Sequence, residues 1–590
     1  MSFDIKGAVS CGILSKTLKQ KQKGKTMRAQ SGMLKGLNPN VTVASIVAVI
    51  SFVLFCAFKD EQAAKAFEMA SVFILHNFKW YYIALISGVL GLLLYISVSR
   101  FGNLKLGTEH DRPEFSFASW IAMLFSAGMG IGLIFWSVAE PMLHYADNPF
   151  SKGLTDESAT LAMRITLFHW GLHPWAIFSM IGLSLAYFAY RKGLPLALRS
   201  LLYPLIGDRI YGWIGHVVDI MGVVITAFGV SQSLGLGVAQ INTGLHQVFG
   251  IPVSIGLQLS IILVVSIIAC ISLLAGLSKG MKRISTLNMY LSFILMLAVL
   301  AIGPTRYILN LMFESTGDYV QNIVGLSFWM DTQKDTEWQN WWTAFYWPWW
   351  MTWGPFVGLF IARISKGRTI RELVIGALVV PTLVTILWMS VFGGAALKNE
   401  QQDRQAYQAS VASQVVGQEQ PKFEGGTVLL ATKKETTAAM FTLVQTLDGP
   451  TVGAVLSILV CVLLGVHFVT TADAGTQVLC TLCALGSTNP PNWIRLLWCI
   501  LEGAIAAGLL LAGGLKAIQM ASIAAGLPIA MLLLVMSYTL IHSLRKEMPS
   551  VPAWTPAQEP QPEQALSRQE GREAPSNLGA SPALTATTAY

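Results

Sequence analysis

Charge is the scarcest property of this chain. Asp, Glu, Lys and Arg make up 12% of its 590 residues, about half of the quarter usual in soluble domains. With 53% hydrophobic residues there is too little polar surface to cover the rest in water, which excludes an ordinary soluble domain. Catalytic signatures are missing too. No HExxH or GxxxxGK[ST] occurs, so a metalloprotease or an ATP-driven pump has no support within the chain. The seven cysteines lie mostly in apolar runs, which argues against a disulfide framework. Cys480 and Cys483 form a CxxC, but on a membrane helix packing is favoured over redox or metal work. No small-residue cleavage pattern follows the first apolar run near residue 41, so that run reads as a retained helix.

What the chain does have is hydrophobic length. Crossing a bilayer takes about 20 apolar residues, and twelve runs approach this: 41–57, 80–98, 117–137, 163–189, 212–237, 252–277, 285–303, 342–362, 372–395, 452–479, 493–513 and 517–541. The predicted fold is an all-α membrane protein with a twelve-span domain over 41–541, flanked by tails at 1–40 and 542–590. The net charge of +8 is local: residues 1–37 hold Lys6, Lys16, Lys19, Lys21, Lys23, Lys25, Arg28 and Lys35 against Asp4. Such a tail suits an anionic membrane surface; nucleic acid is a poor alternative because no folded basic domain follows. Lys and Arg also crowd alternate short loops (Arg100, Lys105, Arg112; Arg191, Lys192, Arg199, Arg209; Lys279, Lys282, Arg283; Arg363, Lys366, Arg368, Arg371), which places both termini in the cytoplasm. The tail from Met548, rich in Pro, Gln, Ala and Ser, reads as disordered. The stretch 396–450, with KNEQQDRQAYQAS, reads as an external segment of loop or short helices.

Within the membrane, glycine, proline and tryptophan carry the pattern. Span 3 contains SAGMGIGLIFW (126–136), with Gly128, Gly130 and Gly132 at every second position, which weakens the helix and exposes backbone. Span 8 carries Pro348, Gly354 and Pro355. Two interrupted helices five spans apart fit an inverted repeat of spans 3–7 and 8–12 with a site near the midplane; close helix packing by the span 3 glycines is the alternative. The stretch NWWTAFYWPWWMTWGP (340–355) holds six of eighteen tryptophans. Trp342, Tyr346, Trp349 and Trp353 share one helical face over about 16 Å, too deep for an interfacial belt, and Trp347, Trp350 and Trp353 share an adjoining stripe. A second aromatic set, Trp170, Trp175 and Phe178, lies in FHWGLHPWAIF (168–178). Aromatic faces around a pocket attract a quaternary ammonium.

Four motifs, GMGIGLIFWSVAEP (128–141), FHWGLHPWA (168–176), FYWPWWMTWGPFVGLFIARISKGRTIREL (345–373) and HFVTTADAG (467–475), resemble the betaine/choline/carnitine transporter family over about residues 40–540. The resemblance implies a trimethylammonium box formed by Trp170, Trp175 and Trp350, with Phe178 at a position commonly Tyr, Trp353 on the permeation path and Phe135 helping to close it. It implies that Asp at the third glycine of GMGIG accompanies choline preference; Gly132 stands there, which favours a zwitterion whose carboxylate meets exposed backbone N–H groups. It also implies a Na⁺ site from the hydroxyls of Thr470 and Thr471 and the backbone oxygens of Ser126 and Met129, no cofactor, and a homotrimer in a bacterial inner membrane. The expected function is Na⁺-coupled import of glycine betaine or a close relative. Proton-coupled choline uptake, carnitine-type exchange, a channel or a membrane-bound enzyme are the alternatives. His169 and His173, four apart, suggest a metal pair without a third ligand. Glu140, Asp219, Asp473 and Glu502 are acids in or near apolar spans, each a functional candidate. The C-terminal tail lacks the basic helix by which some osmotically regulated members sense stress, so regulation by that route is not expected.

Overall fold

The computed structural model describes residues 20, 22–24, 26–127, 130–275, 282–333, 337–413, 422–487 and 489–548. Gly128, Met129, most of the basic tail and everything beyond Met548 lie outside the described residues. The chain divides into Met1–Leu544 and Arg545–Tyr590, and the fold is that of the first unit. Its main helices are α1 (Pro39–Phe58), α2 (Asp60–Val98), α3 (Phe117–Ala127), α4 (Ile131–Ala146), α5 (Asp156–Trp170), α6 (Leu172–Ala186), α7 (Trp213–Phe249), α8 (Ile255–Ala275), α9 (Lys282–Ile302) and α10 (Thr305–Phe328). There follow α11 (Thr343–Ile364), α12 (Ile370–Ala412), α13 (Thr427–Lys434), α14 (Ala439–Thr446), α15 (Gly449–Cys483), α16 (Asn492–Leu511) and α17 (Gly514–Glu547). No strand occurs among the described residues.

The starts of these helices are written locally. Asn38 accepts from the Val41 N–H at 3.0 Å with Pro39 in the first turn of α1, and Thr155 accepts from Ser158 N–H at the head of α5 with Asp156 and Glu157 following. Thr369 and Glu372 form a reciprocal capping box on α12. Such caps satisfy N–H groups that the helix cannot.

Among the described residues, ten helices are long and apolar enough to cross a membrane, or eleven if α3 and α4 are one span bent by 58°. The further predicted span, α11, is 22 residues long, but its Trp, Tyr and Pro residues make it less apolar than its neighbours. The break in span 3 is where the alternating glycines placed it. Span 8 differs from expectation: α11 runs unbroken through Pro348, Gly354 and Pro355. Neighbouring helices let proline persist inside a membrane helix, and α11 is buried along most of its length against α6 and α7. A Cβ on Gly358 would lie 2.5 Å from Ile181 Cγ2 and 3.1 Å from the Gly182 nitrogen, so these two glycines let α11 and α6 close up. The other dominant pairing joins α7 to α15.

The segment 396–450 also differs. α12 continues for 43 residues, about 64 Å and roughly twice the hydrocarbon thickness, so the polar stretch is the end of one long helix. After the undescribed residues 414–421 the chain folds back. Val428, Leu429, Met440, Phe441, Leu443 and Val444 are fully buried, with α13 and α14 packed on α4 and α14 also on α15. Glu400 holds the return by accepting the N–H groups of Gly426 at 2.7 Å and Leu429 at 2.9 Å.

The described part of the N-terminal segment is tied down at the far end of the sequence. Asn38 N–H donates to the Cys483 carbonyl at 2.8 Å, Arg28 to the Leu485 carbonyl at 3.2 Å, and the Trp493 indole to the Met33 carbonyl at 3.0 Å. Lys23 pairs with Asp208 at 2.6 Å.

Candidate functional site

The aromatic site begins at a break that the sequence did not reveal. α5 ends at Trp170, α6 starts at Leu172, and Gly171 lies between them. A Cβ there would sit 2.5 Å from the Leu167 carbonyl oxygen and 2.8 Å from the Tyr319 hydroxyl, so only glycine fits. The backbone groups freed by the break find side chains. Leu172 N–H donates to the Tyr319 hydroxyl at 3.0 Å, and the His169 carbonyl accepts the Trp350 indole N–H at 3.0 Å. One repair therefore also fixes an aromatic wall.

Four predicted residues come together as that wall. Trp170 and Trp350 have centroids 4.8 Å apart at 81°, Phe178 and Trp350 are 6.1 Å apart at 88°, and Trp175 meets Phe178 at 5.3 Å and 81°. Successive faces meet almost at right angles, and all four are buried. Trp349 and Tyr346 back them: Trp349 stacks on Trp350 at 4.8 Å and 21°, and Tyr346 lies 6.0 Å from Trp350 at 15°. Gly132, on α4, abuts the cluster; a Cβ there would meet Trp170 Cη2 at 3.1 Å and Trp349 Cη2 at 3.2 Å. Phe135 is fully buried, but its ring lies against Trp136 at 4.9 Å and against none of the four walls among the described residues.

Of the remaining predicted residues, Gly128 and Met129 lie outside the described residues, and the others line a neighbouring cavity of about 490 Å³, in the range of small-molecule sites. Its lining includes Ser126, Gly130, Trp353, Thr470 and Thr471, and it reaches the helix ends at Arg363 and Asn489. Thr470 donates to the His467 carbonyl at 3.0 Å and accepts from the Asn288 amide at 3.1 Å, so part of its hydrogen-bonding capacity is spent within the helices. Gly130 precedes α4 with an extended backbone, and no side chain caps that helix. The first-turn N–H groups of α4 therefore start at the cavity wall, where helix ends favour anions.

Beneath the rings lies Glu140, fully buried. Its Oε2 accepts from Trp170 Nε1 at 2.6 Å and from the Tyr346 hydroxyl. Its Oε1 is 2.7 Å from His169 Nδ1 and 3.3 Å from His144 Nε2. Ligand atoms of Glu140, His144 and His169 all lie within 4.8 Å of one another, so the histidine that joins His169 is His144. His173 turns away to Ser327 at 2.8 Å, and the expected His169/His173 pair does not form. The other acids separate by their partners. Asp219 receives Arg199 Nε at 2.5 Å and its backbone N–H at 2.9 Å, a buried structural pair. Asp473 and Glu502 each accept one hydroxyl, from Ser272 at 2.5 Å and Thr476 at 3.1 Å, and each keeps one carboxylate oxygen without a hydrogen-bond partner among the described residues. The described cysteines are free, with Cys480 and Cys483 both buried.

Trp349, Tyr346 and the wall-holding role of Glu140 were not assigned to the site from sequence. The signal was there in part: Tyr346 precedes Trp350 by one helical turn, and Glu140 was an acid in an apolar span.

Comparison with known proteins identifies the family. Residues 40–549 match the family described as BCCT, betaine/carnitine/choline family transporter. The chain is 42% identical over 506 residues to "Glycine betaine transporter OpuD" of Bacillus subtilis, covering 85% of this chain and 93% of that one. It is 39% identical over 526 residues to "Probable glycine betaine transporter" of Desulfitobacterium hafniense, covering 88% and 99%. Against "Glycine betaine/proline/choline transporter VP1723" of Vibrio parahaemolyticus it is 37% identical over 528 residues, covering 87% and 91%. Members of this family are transporters and not enzymes, and the chain belongs to it: it is a betaine/carnitine/choline family transporter.

Proposed function

We propose that this transporter imports a quaternary-ammonium zwitterion, glycine betaine or a close relative, by Na⁺ symport with alternating access. The observation that carries this reading is the set of near-perpendicular walls, Trp170, Trp350, Phe178 and Trp175. A trimethylammonium group in such a corner meets several π faces within about 6 Å, and each desolvated contact contributes about 2 kcal/mol or more. The N-terminus of α4 supplies the complementary feature, backbone N–H groups for a carboxylate. Gly132 places no negative charge beside them. Relatives named for glycine betaine transport support the same choice.

For the coupling ion, Ser126, Thr470 and Thr471 lie on one cavity and offer the hard oxygen donors that Na⁺ takes; Met129 belongs to the same proposed set. In this reading the protein is a twelve-span inner-membrane homotrimer with both termini cytoplasmic and spans 3–7 and 8–12 as inverted repeats. The pairing of α7 with α15, the third span of each repeat, supports that symmetry. Proton coupling is the second reading, favoured by the carboxylate oxygens of Asp473 and Glu502 that lack a partner among the described residues.

The test is uptake of labelled glycine betaine and choline into proteoliposomes with inward Na⁺ or H⁺ gradients imposed separately. Betaine accumulation that requires Na⁺ is the expected result, and Thr471→Ala should raise the Na⁺ concentration needed for half-maximal uptake. Choline accumulation driven by H⁺ would replace both the substrate and the ion assignments. Saturable uptake against a gradient excludes a channel.

A further inference from the structure

We propose that Glu140 is the positioning residue of the aromatic site: its carboxylate holds Trp170 and Tyr346 so that the ammonium pocket has its shape before substrate arrives. The inference rests on the cage reading above. Glu140 joins three elements. It comes from α4, it is bonded on α5 by Trp170 and faces His169 there, and it is bonded on α11 by Tyr346. His169 continues the chain to α11, its Nε2 lying 2.9 Å from the Thr343 hydroxyl.

The chemistry explains why a carboxylate stands here. Trp offers only an indole N–H, and a carboxylate is the side chain that accepts from several donors at once. Bonds to an ionised acceptor are also roughly twice as strong as neutral ones. Both rings held by Oε2 touch the Trp350 wall, Trp170 at 4.8 Å and 81° and Tyr346 at 6.0 Å and 15°. Freed from Oε2, the Trp170 indole can turn about its side-chain torsions, and the face that attracts a cation turns with it. An ionisable group inside a membrane is expensive to retain. Asp219 meets that cost with Arg199, whereas among the described residues the partners of Glu140 are the site's own rings and two histidines.

The experiment compares glycine betaine uptake kinetics, per folded transporter, for wild type, Glu140→Ala, Glu140→Gln, Trp170→Phe and the double variant Glu140→Ala/Trp170→Phe. Uptake by the wild type is measured first, and its absence would overturn the cage reading itself. Given uptake, Glu140→Ala is expected to raise KM by about tenfold or more while the maximal rate falls less than about threefold, the signature of lost binding. Glu140→Gln should stay within about threefold of wild type in KM, because the amide oxygen still accepts from both rings. Trp170→Phe keeps a face but loses the N–H, and the double variant should be no worse than the poorer single one, since both remove the same bond. Should Glu140→Ala fail to fold, Tyr346→Phe removes one bond from the same oxygen and is expected to raise KM by about threefold or more.

Wild-type KM in Glu140→Ala, or fully additive losses in the double variant, would overturn the proposal. So would a Glu140→Gln variant as damaged as Glu140→Ala. A metal held by Glu140, His144 and His169 would also replace it, and would be revealed by wild-type uptake lost to a chelator and restored by Zn²⁺.

Discussion

Gly132 has room for a hydrogen atom and little more. A Cβ at this position would lie 3.1 and 3.2 Å from the rims of Trp170 and Trp349, so Gly132→Ala forces the indoles back by a few tenths of an ångström and should weaken betaine binding without loss of folding. Gly132→Asp adds a carboxylate at the same rims, and in a low-dielectric site that charge favours a cation over a zwitterion. The expected outcome is a shift of the uptake ratio toward choline; an unchanged ratio would remove Gly132 as the selectivity determinant. Trp350→Leu is expected to remove one cage contact of about 2 kcal/mol, or about thirtyfold in apparent affinity, with the protein still folded. Unchanged affinity would sink the cage assignment.

At the scale of the element, helix breaks decide where these residues stand. The break in span 3 was legible because three glycines in five residues lower helix stability locally. The break in span 4 was not, because Gly171 sits in an apolar run whose helical period continues on both sides. What stabilises it, the Tyr319 hydroxyl, comes from 147 residues away. Conversely, Pro348 and Pro355 pointed to an interrupted span 8, and burial of α11 between neighbours overrode that local signal. The wall residues themselves were legible as aromatics on two helices; that Glu140 and Tyr346 hold them was not, since a hydrogen bond between spans leaves no mark on either span's periodicity. Tyr319→Phe tests the repair. It leaves the Leu172 N–H buried without its partner, a loss of about 1–3 kcal/mol, and should lower the melting temperature of the purified protein; no change would mean the break is satisfied in another way.

For the whole molecule, composition was enough to give a membrane protein and the lengths of the hydrophobic runs gave most helix positions, while the transporter reading came from the four motifs. Run length missed the long projection of α12 and the return of α13 and α14, because polarity along KNEQQDRQAYQAS is compatible with either a loop or a helix in water. Long-range order is held at points such as the Arg199–Asp219 pair, both fully buried. Asp219→Ala leaves Arg199 without its carboxylate and should destabilise the fold by about 3–5 kcal/mol, read as loss of monodisperse protein on size exclusion. Full recovery of folded protein would mean that the pair is dispensable.

The tie between the two ends of the chain has a consequence in time. Arg28 and Leu485 are 457 residues apart, and Met33 and Trp493 are 460 apart. At roughly 5–20 residues per second of synthesis, the N-terminal segment leaves the ribosome about 20–90 s before these partners exist. It is therefore among the first parts made and the last to be fastened, and its docking can occur only once nearly every membrane helix has been delivered.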